Sequence, residues 1–139
     1  MIYRRRIQIE FNHCDPAGIV FYPRYFEMLN SVIENFFAEV LTYPFTRIHI
    51  EENCAVPTVR IEASFHAPSR LGEIVEFTLA VEDVGRSSAK LALEASAGGQ
   101  VRLNCASTLV WVKPEGRAAP WPEPIRRKMI AFMEASDGA

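Results

Sequence analysis

From Val59 to Lys113 the chain repeats one pattern four times: a short run in which alternate residues are apolar. In the first run Val59, Ile61, Ala63 and Phe65 share one parity, against Arg60, Glu62, Ser64 and His66. Phe77, Leu79 and Val81 oppose Glu76, Thr78 and Glu82 in the second, and Leu91, Leu93 and Ala95 oppose Lys90 and Glu94 in the third. A period of two with one polar side predicts strands that bury one face. The last run, 101–113, turns apolar on both parities at Leu109, Val110, Trp111 and Val112. Cover on both faces is expected there. Gly85 and the pair Gly98-Gly99 fall at the joints where hairpins must turn.

The N-terminal segment alternates too. Tyr3, Arg5, Ile7, Ile9 and Phe11 interleave with Arg4, Arg6, Gln8 and Glu10, which predicts a half-buried strand from Tyr3 to Phe11. Turn residues follow from Asn12 to Gly18. After Pro23 the period changes, with Phe26, Leu29, Ile33, Phe36, Phe37 and Val40 at spacings of three and four. That pattern predicts an amphipathic helix from Pro23 to Leu41, with the proline suited to its first turn. Thr42 to Ala55 carries little pattern and reads as a loop. A proline-rich tail (Pro114, Pro120, Pro122, Pro124) leads to a short helix over 125–133. The order predicts an α+β domain over 1–139, a five-stranded antiparallel sheet with one long helix on a face. About 114–139 forms its C-terminal extension. One helix covers only part of such a sheet, so a homodimer is expected.

With 49% hydrophobic and 23% charged residues, the chain has enough apolar surface to offset the entropy of ordering. Fifteen Lys and Arg stand against 17 Asp and Glu, a formal charge of -2, which argues against a nucleic-acid partner. No stretch reaches the length of a membrane span, and the N-terminus lacks the apolar run of a signal peptide. Cys14, Cys54 and Cys105 have neither disulfide-framework nor metal spacing, and His13, His49 and His66 have no zinc-ligand spacing. A reducing cytoplasm is the expected setting, with no metal.

Asp15-Pro16-Ala17-Gly18 is ordinary type I turn chemistry. Its setting is less ordinary. The apolar run Ile19-Val20-Phe21-Tyr22 leads straight into the helix, which sets a carboxylate beside free backbone N–H groups at the positive end of a helix dipole. Acyl transfer needs that pairing, a nucleophile or base next to donors for a developing oxyanion. Cys14 beside His13 and Asp15 reads as a small buried thiol, since neighbours in an extended segment point apart. Phe65 and Trp111 read as core, and Arg126-Arg127-Lys128 as a solvated helix face.

The stretch Cys-Asp-Pro-Ala-Gly-Ile-Val-Phe-Tyr-Pro-Arg-Tyr, Cys14 to Tyr25, resembles the signature of the hotdog-fold acyl-CoA thioesterases of the 4-hydroxybenzoyl-CoA thioesterase family. The resemblance extends to the order of elements over residues 3 to 113. It implies a hotdog fold, a sheet wrapped on a long central helix, and hydrolysis of an aryl or short to medium acyl-CoA. Coenzyme A would be part of the substrate, and no separate cofactor is implied. Asp15 falls on the family's catalytic aspartate, which attacks the thioester carbonyl or activates a water. Tyr22 falls where a backbone N–H polarises the thioester oxygen, and Gly18 lies in the turn that brings that backbone close. Phe21 and Tyr25 fall in the acyl site, and Thr58 and Arg60 would reach it from the other subunit of a homodimer or homotetramer. Arg86, Ser87 and Ser88 fall near the coenzyme A contacts. Asn30 stands where the 4-hydroxybenzoyl enzymes carry an acid that reads the phenol hydroxyl; an amide can still bond a hydroxyl but supplies no charge. The contrasting readings are a non-catalytic acyl-CoA-binding module, in which an unpaired carboxylate facing an anionic ligand gains nothing, and a dehydratase using His13 or His66.

Overall fold

The computed structural model describes residues 1–135. Five strands form one antiparallel sheet: β1 (Tyr3–Gln8), β2 (Thr58–Phe65), β3 (Ile74–Val84), β4 (Ser88–Ala97) and β5 (Gln100–Val110), in the order β1-β3-β4-β5-β2. Helix α1 (Arg24–Glu39) follows β1, and α2 (Glu123–Glu134) follows β5.

The alternation of β3 and β4 sets their faces as expected: Val75, Phe77, Leu79 and Val81 are buried, as are Leu91, Leu93 and Ala95. Against them α1 lays Leu29, Val32, Ile33, Phe36 and Phe37. Its N-cap is Pro23, at φ -62°, pre-set for a first helical turn. At its other end Glu39 accepts the Tyr3 hydroxyl proton at 2.7 Å, which ties α1 to β1. Gly98 and Gly99, at φ +57° and +73°, make the two-residue hairpin that joins β4 to β5. Positive φ at both positions is the conformation that strand twist selects and that glycine adopts without a Cβ clash.

Four expectations need correction. β1 stops at Gln8, because Ile9 turns fully inward and a 3-10 turn over Phe11–His13 begins. There the Glu10 N–H donates to His13 Nδ1 at 2.8 Å, and Phe11 is left 83% exposed. The segment read as a patternless loop contains a six-residue π-helical turn, Thr46–Glu51, that buries Ile48. Glu52 accepts the Tyr43 hydroxyl proton at 2.7 Å and pairs with Arg47, which lies 3.8 Å above the Tyr43 ring. Burial, then the Glu52 carboxylate, push the Tyr43 hydroxyl up to about 12. At the end of β5 only one side is fully covered, with Leu109 and Trp111 buried and Val110 and Val112 half-buried. Finally, Phe65 is 44% exposed and so not core, whereas Trp111 is buried as expected.

Phe65 shares its exposure with all of its strand except the half-buried Ala63. β2 pairs only with β5, and its apolar parity carries Val59 at 60% and Ile61 at 42% exposure. An apolar edge strand of this kind is a template for pairing with another chain.

Candidate active site

The turn before α1 folds as its residues dictate. The Gly18 N–H donates to the Asp15 carbonyl at 2.9 Å, and the Ala17 N–H to Asp15 Oδ1 at 2.9 Å. These two bonds are the type I turn and the Asx turn that Asp-Pro-X-Gly favours. Gly18 then takes φ +78°, a left-handed conformation that returns the chain, and the Asp15 N–H donates to the Ile19 carbonyl at 3.0 Å. A Phe21 N–H bond to the His13 carbonyl, at 2.9 Å, closes the small hairpin. Asp15 stands half-buried at its tip with Oδ1 engaged by the Asx turn.

Tyr22 comes next. Its carbonyl accepts from the Tyr25 N–H in the first turn of α1, but its own N–H has no acceptor among the described residues. Pro23 has no N–H to offer, so this donor stands at the mouth of the helix on the dipole's positive end. The side chains of Phe21 and Tyr22 are exposed, and their rings meet edge to face at 5.8 Å. Phe65, at the end of β2, gathers the other rings: Tyr22 at 5.9 Å, Tyr25 at 5.8 Å and Phe26 at 6.3 Å. Between them opens a cleft of about 290 Å³ walled by Ile19, Val20, Tyr22, Tyr25, Phe65 and the stretch 66–68. Tyr25 is buried, and its hydroxyl has no partner among the described residues. Asn30 is exposed one turn beyond Phe26.

The other predicted residues lie elsewhere in the chain. Thr58 pairs with Leu109, and Leu109 with Ala89 beside the β3–β4 hairpin that carries Arg86, Ser87 and Ser88. That hairpin is tied to the C-terminal segment, with the Trp121 N–H bonded to the Arg86 carbonyl and the Trp121 indole N–H to the Ser88 carbonyl, both at 3.0 Å. The Asp15 turn sits by the start of β3, where the Leu71 N–H donates to the Gly18 carbonyl at 3.1 Å. At ~3.3 Å per residue, the length of β3 separates the two groups by roughly 30 Å within one protomer. Asp15, Gly18, Phe21, Tyr22 and Tyr25 are brought together; Thr58, Arg60, Arg86, Ser87 and Ser88 are at the opposite end of the sheet.

Cys14 is half-buried, its Sγ 3.6 Å from the Glu10 carbonyl oxygen. Burial pushes the Cys105 thiol up to about 11, which leaves it protonated and unreactive at neutral pH. Among the described residues no group of three or more His, Cys, Asp or Glu could hold a metal ion, and no helix is long and apolar enough to cross a membrane. His66 Nε2 donates to Asn104 Oδ1 at 2.6 Å, and Asn104 Nδ2 donates to Glu94 at 3.2 Å, a direction fixed by the amide oxygen, which can only accept.

Residues 9–129 match the model of the thioesterase-like superfamily. The chain belongs to that superfamily. A 4-hydroxybenzoyl-CoA thioesterase of Pseudomonas sp. (strain CBS-3) is 29% identical over 82 residues, 58% of either chain, so the match spans little more than half of that relative. The 1,4-dihydroxy-2-naphthoyl-CoA thioesterase of Synechocystis superposes with a TM-score of 0.87 at 19% identity, over 97% of this chain and 100% of that one. An aspartate-to-asparagine mutant of 4-hydroxybenzoyl-CoA thioesterase, complexed with 4-hydroxybenzoyl-CoA, superposes with a TM-score of 0.80 at 23% identity, over 92% and 98%. These likenesses show that this member of the thioesterase-like superfamily has the hotdog fold.

One residue that sequence reading passed over stands behind the turn. Arg102 is 6% exposed and pairs with Glu73 through two hydrogen bonds, at 3.0 and 2.9 Å. Those bonds, and after them the Arg70 N–H, hold the Glu73 carboxyl down at about 2. The available signal was that Arg102 is the one charged residue of β5.

Proposed function

We propose that this protein hydrolyses the thioester of an acyl-CoA, with an aryl acyl group favoured, to the free acid and coenzyme A. The observation that carries the reading is that one short hairpin delivers both the Asp15 carboxylate and the unengaged Tyr22 N–H, with Tyr22 itself walling an aromatic cleft. The Tyr22 N–H stabilises the carbonyl oxygen as it gains charge, and the helix dipole adds to it. Asp15 attacks the carbonyl carbon or takes a proton from the attacking water. In either case the C–S bond breaks, a water oxygen ends in the acid, and the thiolate leaves without a strong acid because its conjugate acid has a pKa of about 8.5. Gly18 gives the turn its return path. Phe21, Tyr25 and Asn30 contact the acyl group, and the reaction needs no further cofactor.

Thr58 and Arg60 serve the site of a second copy, and Arg86, Ser87 and Ser88 hold the nucleotide end of coenzyme A. The exposed apolar edge of β2 supports this assembly. An antiparallel pairing of β2 with its copy, centred between Ile61 and Glu62, sets Thr58 of one protomer opposite Phe65 of the next. The two groups of residues, separated in one protomer, then meet in a homodimer, the unit from which a homotetramer is built by a second contact. A cytosolic setting keeps the three free thiols reduced.

Steady-state kinetics over aryl-CoA, aliphatic acyl-CoA and acyl-carrier-protein thioesters tests the reading. The expected result is turnover with the highest kcat/KM on an aryl-CoA. Binding of acyl-CoA without turnover would reduce the protein to a binding module.

A further inference from the structure

Strict alternation along β5 sends Arg102 to the outer face of the sheet with Asn104 and Ala106. The β4–β5 ladder breaks that count, pairing Ala95 with Leu103 but Ser96 with Val101. The irregularity turns Arg102 inward, as bulges do. There its guanidinium donates to the Pro68 carbonyl at 2.9 Å, Ser69 Oγ at 3.2 Å, both Glu73 oxygens, and the Ala97 carbonyl at 3.3 Å. Four of these five acceptors lie on one segment, 68–73. Glu73 Oε1 also accepts the Arg70 N–H at 2.6 Å, which closes the segment on itself.

The same segment brackets the Asp15 turn. The Val20 N–H donates to the Ser69 carbonyl at 2.9 Å, and the Leu71 N–H to the Gly18 carbonyl at 3.1 Å. Behind them the Gly72 N–H bonds the Ile9 carbonyl and the Ile9 N–H the Glu73 carbonyl, both at 2.8 Å. Asp15 enters this bracket and Tyr22 leaves it. Their separation is therefore set by where Ser69 and Leu71 stand, and those are held by Arg102 and Glu73.

We propose that Arg102 and Glu73 are positioning residues: their ion pair locks segment 68–73 and thereby fixes the Asp15 carboxylate against the Tyr22 N–H. Neither touches substrate. The proposal rests on the thioesterase reading above for its catalytic half, whereas the bracket itself is a property of the fold. Reacting groups displaced by about 1 Å can lose about a hundredfold in rate with the binding surface intact.

Two variants test it. Glu73→Gln keeps an acceptor for the Arg70 N–H and removes the charge. Arg102→Met/Glu73→Gln removes both charges, so no buried charge is stranded and folding is spared. Amide hydrogen exchange at Val20 and Leu71 is followed together with kcat and KM for benzoyl-CoA. In whichever variant keeps the wild-type circular dichroism, we expect protection at Val20 and Leu71 to fall about tenfold or more while β3 and β4 amides hold. We expect kcat to fall by about ten- to a hundredfold, with KM within about threefold. Folded variants with wild-type exchange, or with altered exchange and wild-type kcat, overturn the proposal. A wild type that hydrolyses no thioester overturns the functional reading and its catalytic half, and the exchange data then decide the bracket alone.

Discussion

The Phe65 ring stands 5.8 Å from that of Tyr25, so the last residue of an edge strand forms the wall opposite the first turn of α1. Three aromatic contacts converge on this one exposed side chain, which an isolated apolar residue on a surface would not need. Phe65→Ala removes that wall. Ring pairs are worth about 0.5–1.5 kcal/mol beyond the area they bury. The variant should lose about tenfold in kcat/KM on benzoyl-CoA and much less on acetyl-CoA, measured side by side.

Assembly depends on the same strand. Ile61→Asp puts a charge in the middle of the apolar edge of β2, where it faces solvent in the free chain but a copy in the dimer. The variant should keep its circular dichroism, sediment as a monomer at micromolar concentration, and lose most of its turnover. An active monomer would contradict a site completed by a second protomer.

Asn30 bears on substrate choice. A carboxylate that reads a phenol is left unpaired when the hydroxyl is absent, whereas an amide suffers less. Wild type should discriminate weakly between benzoyl-CoA and 4-hydroxybenzoyl-CoA. Asn30→Asp should move the ratio toward the hydroxylated substrate by about 1–2 kcal/mol, roughly a power of ten in kcat/KM. An unchanged ratio would set Asn30 outside the acyl site.

The Arg102–Glu73 pair gives stability a pH dependence of defined sign. The Glu73 carboxyl, ordinarily at 4.5, is held at about 2 in the folded chain. A depressed folded value contributes stability that is fully present above the ordinary carboxylate range and lost as pH falls through the folded value. The gap in urea midpoint between wild type and Glu73→Gln should be widest above about pH 5 and shrink steadily toward pH 2. A gap constant across that window would mean that the pair adds nothing through charge.

Much of this architecture is legible in residue order because it depends on local rules. Phe77-Leu79-Val81 and Leu91-Leu93-Ala95 declare their faces by parity, and Asp15-Pro16-Ala17-Gly18 carries its turn in its own side chains. The Thr46–Glu51 turn is held by Tyr43, Arg47 and Glu52, a set with no period, so no pattern signals it. Arg102 was hidden by the rule that revealed β5: a slipped register between Ala95 and Ser96 reverses the side it faces, and parity cannot report a slip. Phe65 shares the parity of residues that are core in other strands, and only its place on an edge strand exposes it.

Asp15→Asn is the most direct test of the central claim. An asparagine Oδ1 still accepts the Ala17 N–H, so turn and fold should survive with unchanged circular dichroism and thermal midpoint. An amide is neither nucleophile nor base at neutral pH, so kcat on the best acyl-CoA should fall by roughly 10²–10⁴-fold. A folded Asp15→Asn protein with wild-type kcat would contradict the account.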